Sequence, residues 1–161
     1  MKENYITEKG ADISAEGLYR YSLWRLWDKE KPAVLFIGLN PSTADATDDD
    51  PTIRRCLGFA RSWGFGSLYM GNLFAFRATD PMELYEATDP VGPDNDKWLS
   101  ELSAKCQKVV FAWGAKGQLL GRDKTLASAF PEAYCIRRTK EGHPSHPLYL
   151  KADLRLMRYK R

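Results

Sequence analysis

The run AVLFIGL, residues 33 to 39, constrains the fold more than any other stretch of the chain. A continuous apolar run of this length is too short for a buried helix and too unbroken for a half-exposed strand, so it predicts a strand covered on both faces. Helices on both sides of a sheet provide that cover. The segments that follow repeat the pattern.

SLYMGNLFAF (67 to 76) contains a second strand, KVVFAWG (108 to 114) a third and EAYCI (132 to 136) a short fourth. Between them, Asp50 serves as the N-cap of a helix with Pro51 in its first turn and Ile53, Leu57 and Ala60 at helical spacing. DNDKWLSELSAKC is a second helix, AKGQLLGRDKTLASAF is helical despite its glycines, and Leu148 to Arg161 forms a closing helix. Upstream, GLYRYSLWRLWD (17 to 28) is a strand or hairpin, placing residues 1 to 30 in an N-terminal extension. The alternation predicts an α/β fold, a three-layer α/β/α sandwich with a mostly parallel central sheet, in one domain over residues 1 to 161. The size and apolar content, 43% of residues with five Trp, seven Phe and eight Tyr, suit one core and not two.

No apolar stretch approaches the roughly 20 residues of a membrane span, and the start MKENYITEKGADIS lacks a signal-peptide core, so a cytoplasmic protein without a membrane partner is expected. Cys56, Cys106 and Cys135 are far apart in apolar surroundings and read as reduced core thiols. Neither a metal nor a cofactor is called for by such spacing. The net charge of +3 is small, but Lys151, Arg155, Arg158, Lys160 and Arg161 crowd the end of the chain. On a helix, Lys151, Arg155 and Arg158 would share a stripe beside Leu150, Leu154 and Met157. Arg54, Arg55 and Arg61 on the earlier helix could extend that basic surface, which would be either solvated charge or a track for phosphates.

In sheets of this kind ligands gather at the carboxyl ends of the strands. GLNPST follows the first core strand, GNLF the second, WGAKG the third and GHPSHPLYL the fourth. Four glycine-bearing loops, two of them with proline, are thereby directed toward one crevice.

GLNPST (38 to 43), GNLFAFRA (71 to 78), VVFAWGAKGQ (109 to 118) and GHPSHPLYL (142 to 150) resemble, in that order, the signature segments of the uracil-DNA glycosylase superfamily, in the version its mismatch-specific branch uses. The chain, with RYSLWRLWD, GLNPSTAD and DDPTIRRC, also resembles a bacterial and phage family described as a domain of unknown function. The first resemblance implies a uracil-DNA glycosylase-like fold and a site in which Asn40, where relatives carry Asp, holds the attacking water. His143 would then be the neutral donor to the leaving base. Gly38, Leu39, Pro41, Ser42 and Asn72 would line the base pocket, with Asn72 reading the pyrimidine edge. Ser42 stands where the uracil-specific branch has a bulky Tyr, leaving room for a substituent at C5.

By the same resemblance Ser145 grips a phosphate and Leu148 fills the space of a flipped base, with Lys151, Arg155 and Arg158 on the DNA side. His146 is inserted between Ser145 and Pro147 relative to the pattern, and would add a phosphate or base contact. Phe59, Phe65, Phe74 and Phe76 are the aromatics available to stack on a base, with core packing the default for each. Three functional readings follow: a monofunctional DNA glycosylase, acting without a Schiff-base lysine on a modified or damaged pyrimidine in DNA; a module of the same fold that binds a nucleobase or nucleic acid without hydrolysis; and a metal-dependent nucleotide hydrolase built on Asp45, Asp48, Asp49 and Asp50.

Overall fold

The computed structural model describes residues 5–159 of the chain, which leaves residues 1 to 4 and the basic pair Lys160 and Arg161 outside the description. It is an α/β fold whose seven strands form one mixed sheet: β1 (Glu8–Ile13), β2 (Arg20–Leu26), β3 (Ala33–Gly38), β4 (Ser67–Asn72), β5 (Lys108–Phe111), β6 (Tyr134–Cys135) and β7 (Met157–Arg158). Their order across the sheet is β1-β2-β4-β3-β5-β6-β7.

The expected parallel sheet is confined to the centre. Strands β4, β3, β5 and β6 run parallel, while the pairings β1 with β2, β2 with β4 and β6 with β7 are antiparallel. The sheet is therefore mixed and not mostly parallel. Its antiparallel edges come from the N-terminal hairpin and from the chain end, where no crossover helix intervenes. Strand β1, with the polar sequence EKGADI, carries no apolar alternation that would reveal it.

Strand β3 explains why AVLFIGL is apolar throughout. Val34 and Phe36 face helix α1 (Pro51–Ser62) together with Leu68 and Met70 of β4, and meet Ile53, Leu57 and Ala60. Leu35 and Ile37 face the other way, against Leu99 and Leu102 of α3 (Asn95–Ala104) and Leu126 of α4 (Arg122–Ala129). Each such side chain is fully buried and contributes about 1.5 to 3 kcal/mol. The remaining helix, α2 (Glu83–Glu86), is one short turn that adds Leu84 to the second cluster. Among the described residues no helix is long and apolar enough to cross a membrane.

Asp50 caps α1 as its sequence predicts, with its carboxylate accepting the Ile53 N–H at 2.9 Å. The predicted closing helix is absent. A single 3-10 turn over Pro147–Tyr149 leads into irregular chain and then β7. The carbonyls that a helix would have used are taken by α1: Trp63 Nε1 donates to Leu154 O at 3.0 Å, and Arg55 donates to the carbonyls of Pro147 and Leu150. Leu150, Leu154 and Leu156 pack onto the α1 side of the core, so the apolar spacing serves a strap and not a helical stripe.

The loop between β3 and α1 is held from β2. Buried Arg25 pairs through Nε with Asp49 at 2.9 Å and donates through Nη2 to Asp45 O at 2.7 Å. Asp45 itself accepts the Thr47 and Asp48 N–H groups at 2.9 and 2.8 Å, which holds its carboxyl below the ordinary range. Asp45, Asp49 and Asp50 thus build the loop and cap the helix. Among the described residues no group of three or more His, Cys, Asp or Glu side chains is placed to hold a metal ion. The cysteines are free, with Cys56 and Cys135 buried and Cys106 partly so.

Candidate active site at the carboxyl ends of the strands

From β3 the chain leaves for β4 on one side, and from β5 it leaves for β6 on the other, so β3 and β5 flank a point where the winding reverses. Loops diverge there and leave a crevice. Its volume is about 420 Å³, within the range of small-ligand sites. Residues 38 to 42 after β3, Asn72 at the end of β4, residues 112 to 116 after β5 and residues 146 to 149 line it, with Asp50, Thr52 and Ile53 from the start of α1. Three of the four loops expected to converge do so, and the fourth contributes only its second half.

Asn40 is oriented by its amide nitrogen, which donates to Pro41 O at 3.0 Å and Ala78 O at 2.8 Å. Both donors are spent on backbone, which leaves Oδ1 without a partner among the described residues and available as an acceptor. The Asn40 loop continues the β3–β4 pairing beyond the strands, since Leu73 and Phe74 N–H groups donate to the carbonyls of Gly38 and Leu39.

Asn72 is only 3% exposed, yet among the described residues its Nδ2 has no hydrogen-bond partner and its Oδ1 accepts none. Its backbone, by contrast, is pinned from the helix layer. Asn95 Nδ2 donates to the carbonyls of Asn72 and Leu73 at 2.9 and 3.1 Å, and Arg122 Nε donates to Leu73 O at 3.0 Å while pairing with Asp96 at 2.7 Å. Gly38 has to be glycine for the amide to lie where it does, because a Cβ there would sit 2.9 Å from Asn72 Oδ1. The backbone of Asn72 is thus fixed while its buried amide donor is unsatisfied among the described residues.

The two histidines part company. His143 lies at the end of a tight turn in which Thr139 N donates to His143 O at 2.7 Å and His143 N donates to Thr139 Oγ1 at 3.1 Å. Its side chain lines a separate depression with Gln118, Asp123, Lys124, Arg138, Glu141 and Tyr159, away from Asn40 and Asn72. The expectation that His143 faces the leaving base is therefore corrected. His146 lines the crevice instead.

The local cause is the bridge between Arg138 and Pro144, with Ser145 N donating to Arg137 O at 2.8 Å, which turns the first His-Pro pair away and leaves the second at the crevice. Gly114, whose φ of +77° suits glycine alone, donates its N–H to Pro144 O at 2.8 Å and ties this segment to the Trp-Gly turn after β5. His146 accepts the Leu148 N–H at Nδ1 over 3.2 Å, so its remaining proton is on Nε2. Burial lowers its pKa, with Asp50 opposing, and the ring is neutral at physiological pH.

Gly38, Leu39, Pro41 and Ser42 line the crevice as expected, as does Leu148, which is 40% exposed at its mouth. Ser145 does not line it. Lys151 and Arg155 are exposed on irregular chain, so the helical basic stripe expected of Lys151, Arg155 and Arg158 does not exist. Arg158 lies on β7, paired with Glu132 and over the Tyr134 ring at 5.2 Å. Phe59, Phe65 and Phe74 are buried in the core, Phe76 packs against it, and none of the four lines the crevice.

Sequence reasoning missed three crevice residues. Trp113 lies at its wall, and Tyr149 stands 86% exposed at its mouth beside the His146 ring at 5.9 Å. Arg20 is 2% exposed at the start of β2 and lines the same crevice. The available signal was an arginine set among the apolar residues of RYSLWRL, a position that buries charge.

Residues 20–148 match a family described as a protein of unknown function (DUF1643). The chain belongs to this family. The matched span runs from Arg20 to Leu148 and contains every crevice residue except Tyr149. Strand β1 and the strap that ends in β7 lie outside the family match. No curated protein and no solved structure matches the chain.

Proposed function

We propose that the crevice binds a pyrimidine base and hydrolyses its N-glycosidic bond, in the manner of the uracil-DNA glycosylase superfamily that the loop sequences resemble, with DNA as the carrier of the base. One observation carries this reading. Asn40, Asn72 and His146 line the same crevice, and the first and last each have one polar atom committed to backbone and the other free.

The free groups match the demands of the reaction. Breaking the bond between base and sugar leaves the electron pair on the base nitrogen and cationic character on the sugar carbon. His146 Nε2–H is a neutral donor to the base oxygen on which that charge spreads, a role worth about 3 to 4 kcal/mol for one well-placed donor. Asn40 Oδ1 orients the water whose oxygen joins the sugar carbon and whose proton passes to solvent or base. Asn72 presents donor and acceptor to the pyrimidine edge, and Ser42 leaves space beside C5 for a modified base. Leu148 at the mouth suits the wedge that replaces a flipped base.

A second reading, a base-binding module without hydrolysis, is favoured by a specific feature: Asp50 is the carboxylate lining the crevice among the described residues, and its Oδ1 is bound to the Ile53 N–H. Among the described residues no carboxylate other than this helix cap lines the crevice to face the sugar cation. The chemistry is accordingly slow, and the test must allow for many hours.

Duplex and single-stranded DNA carrying uracil, mismatched, oxidised and C5-substituted pyrimidines, incubated with the protein and treated with alkali, reveal abasic sites. Product that disappears in His146→Ala and Asn40→Ala and persists in His143→Ala supports the enzyme. Binding without product in all of these substrates supports the module.

A further inference from the structure

Three arginines are almost fully buried: Arg20, Arg25 and Arg122. Burying an ion costs several kcal/mol, and proteins meet that cost with a paired charge. Arg25 has Asp49 at 2.9 Å and Arg122 has Asp96 at 2.7 Å. Arg20 has no carboxylate within ion-pair distance among the described residues. Its Nη1 donates to Ala44 O at 3.0 Å, and among the described residues its buried Nε has no acceptor and its Nη2 no partner.

Arg20 is also the one of the three that lines the crevice. Asn72, on the same crevice, also buries an unpartnered N–H among the described residues, whereas the unpartnered Trp113 indole N–H lies beside Gly117, which does not line the crevice. Of the three Arg20 nitrogens, Nη2 is the one neither bonded to a described residue nor enclosed, so it is the donor that an acceptor on a ligand can reach. Burial lowers the Arg20 pKa to about 10, with Asp50 and Asp45 opposing through space and Arg77 and Arg25 adding to the lowering, which still leaves it a full cation at neutral pH. Lys116 at the rim adds a second positive charge, against Asp50, whose Oδ1 is bound to the Ile53 N–H.

We infer that Arg20 is the anion-recognition residue of the crevice and takes a phosphate oxygen of the nucleotide whose base meets Asn72. The inference deepens the reading of the crevice as a pyrimidine site. Phosphate reaches the guanidinium either as the monoester of a nucleotide or as the diester of a strand, and both offer the same unpaired oxyanion.

Calorimetric titration at constant ionic strength compares thymidine, thymidine 5′-monophosphate, inorganic phosphate and an oligothymidylate without terminal phosphates, on the wild type, Arg20→Met and Arg20→Lys. The wild type should bind the monophosphate or the oligothymidylate at least about tenfold tighter than thymidine, the value of one charge-assisted contact. Arg20→Met should abolish that gain, Arg20→Lys should retain part of it, and the Arg20→Met melting temperature should hold or rise, because an unpaired buried charge is gone. A gain confined to the monophosphate identifies the monoester as the source, and a gain with the oligothymidylate identifies the diester.

Equal binding of nucleoside and phosphorylated forms by the wild type overturns the inference and leaves the base reading standing. A gain that survives in Arg20→Met overturns it too. If Arg20→Met fails to fold, the wild type decides: a melting temperature raised by inorganic phosphate over chloride of equal ionic strength supports the site, and no rise refutes it. Phosphate binding without any binding of thymidine retains the anion site and removes the base reading.

Discussion

His146 accepts the backbone N–H of Leu148 at Nδ1 over 3.2 Å, so the imidazole caps the turn that it begins and holds a single proton, on Nε2. Burial depresses the folded-state pKa below the ordinary 6.5. The unfolded chain then takes up the proton more readily than the folded one. The stability due to neutral His146 is complete above about pH 6.5 and is lost as pH falls below that value toward the lower folded pKa. His146→Gln should flatten the decline in melting temperature over that window relative to the wild type. Melting curves between about pH 5 and pH 8 check this, and parallel curves for the two proteins would refute it.

Asn40→Asp introduces the carboxylate that the glycosylase superfamily, which the loop sequences resemble, carries in its water-activating loop, and by that resemblance it should accelerate hydrolysis. The hydrogen bonds predict otherwise. Asn40 Nδ2 serves Pro41 O and Ala78 O, and a carboxylate would face both carbonyls with oxygen. The variant should lose about 1 to 3 kcal/mol of stability and show no gain in abasic-site formation. Chemical denaturation and the alkali assay measure the two effects, and a stable variant with faster release would contradict the orienting role of the amide.

Asn72→Leu removes the buried, unpartnered Nδ2 from a site that is 3% exposed, with little change in volume. Stability should hold or rise by about 1 kcal/mol, while binding of pyrimidine nucleosides disappears. Gly38→Ala should weaken binding through the same amide, because its Cβ would come within 2.9 Å of Asn72 Oδ1. A large loss of stability in Asn72→Leu would mean that the amide serves the fold and not a ligand.

Tyr149 is 86% exposed and contributes little to the folded state. Its place at the crevice mouth beside Leu148 suits stacking on a base next to the one bound. Tyr149→Ala should leave the melting temperature unchanged and weaken single-stranded DNA binding by about 1 to 3 kcal/mol, with mononucleotide binding unaffected. Fluorescence anisotropy with a labelled oligonucleotide reads the difference, and an unchanged affinity removes Tyr149 from the interface.

The α/β class, the central strands, the cap of α1 and the convergence of the loops after β3, β4 and β5 were all legible in the sequence. Each rests on local physics: unbroken apolar runs for β3 and β5, Asp50 ahead of Pro51, and polar loops at strand ends. Strand β1 was not legible, because EKGADI owes its conformation to pairing with β2. Nor was the strap after Tyr149. Leu150 and Leu154 are spaced as on a helix, but Arg55 and Trp63 of α1 take their carbonyls, a competition that sequence spacing does not register.

The same division runs through the site. The sequence by itself determined that Asn40, Asn72 and a His-Pro segment belong at the carboxyl ends of parallel strands, because residue type and loop position are local properties. HPSHPL offers two His-Pro pairs, however, and only the tertiary structure chose between them. The Arg138–Pro144 bridge and the Gly114 N–H to Pro144 carbonyl bond turn His143 away and bring His146 to the crevice. Likewise, nothing local distinguishes Arg20 from Arg25 in RYSLWRL. The fold brings Asp49 into contact with one and, among the described residues, no carboxylate within ion-pair distance of the other, which lines the crevice, since which charge meets a partner depends on chain segments brought together only by folding.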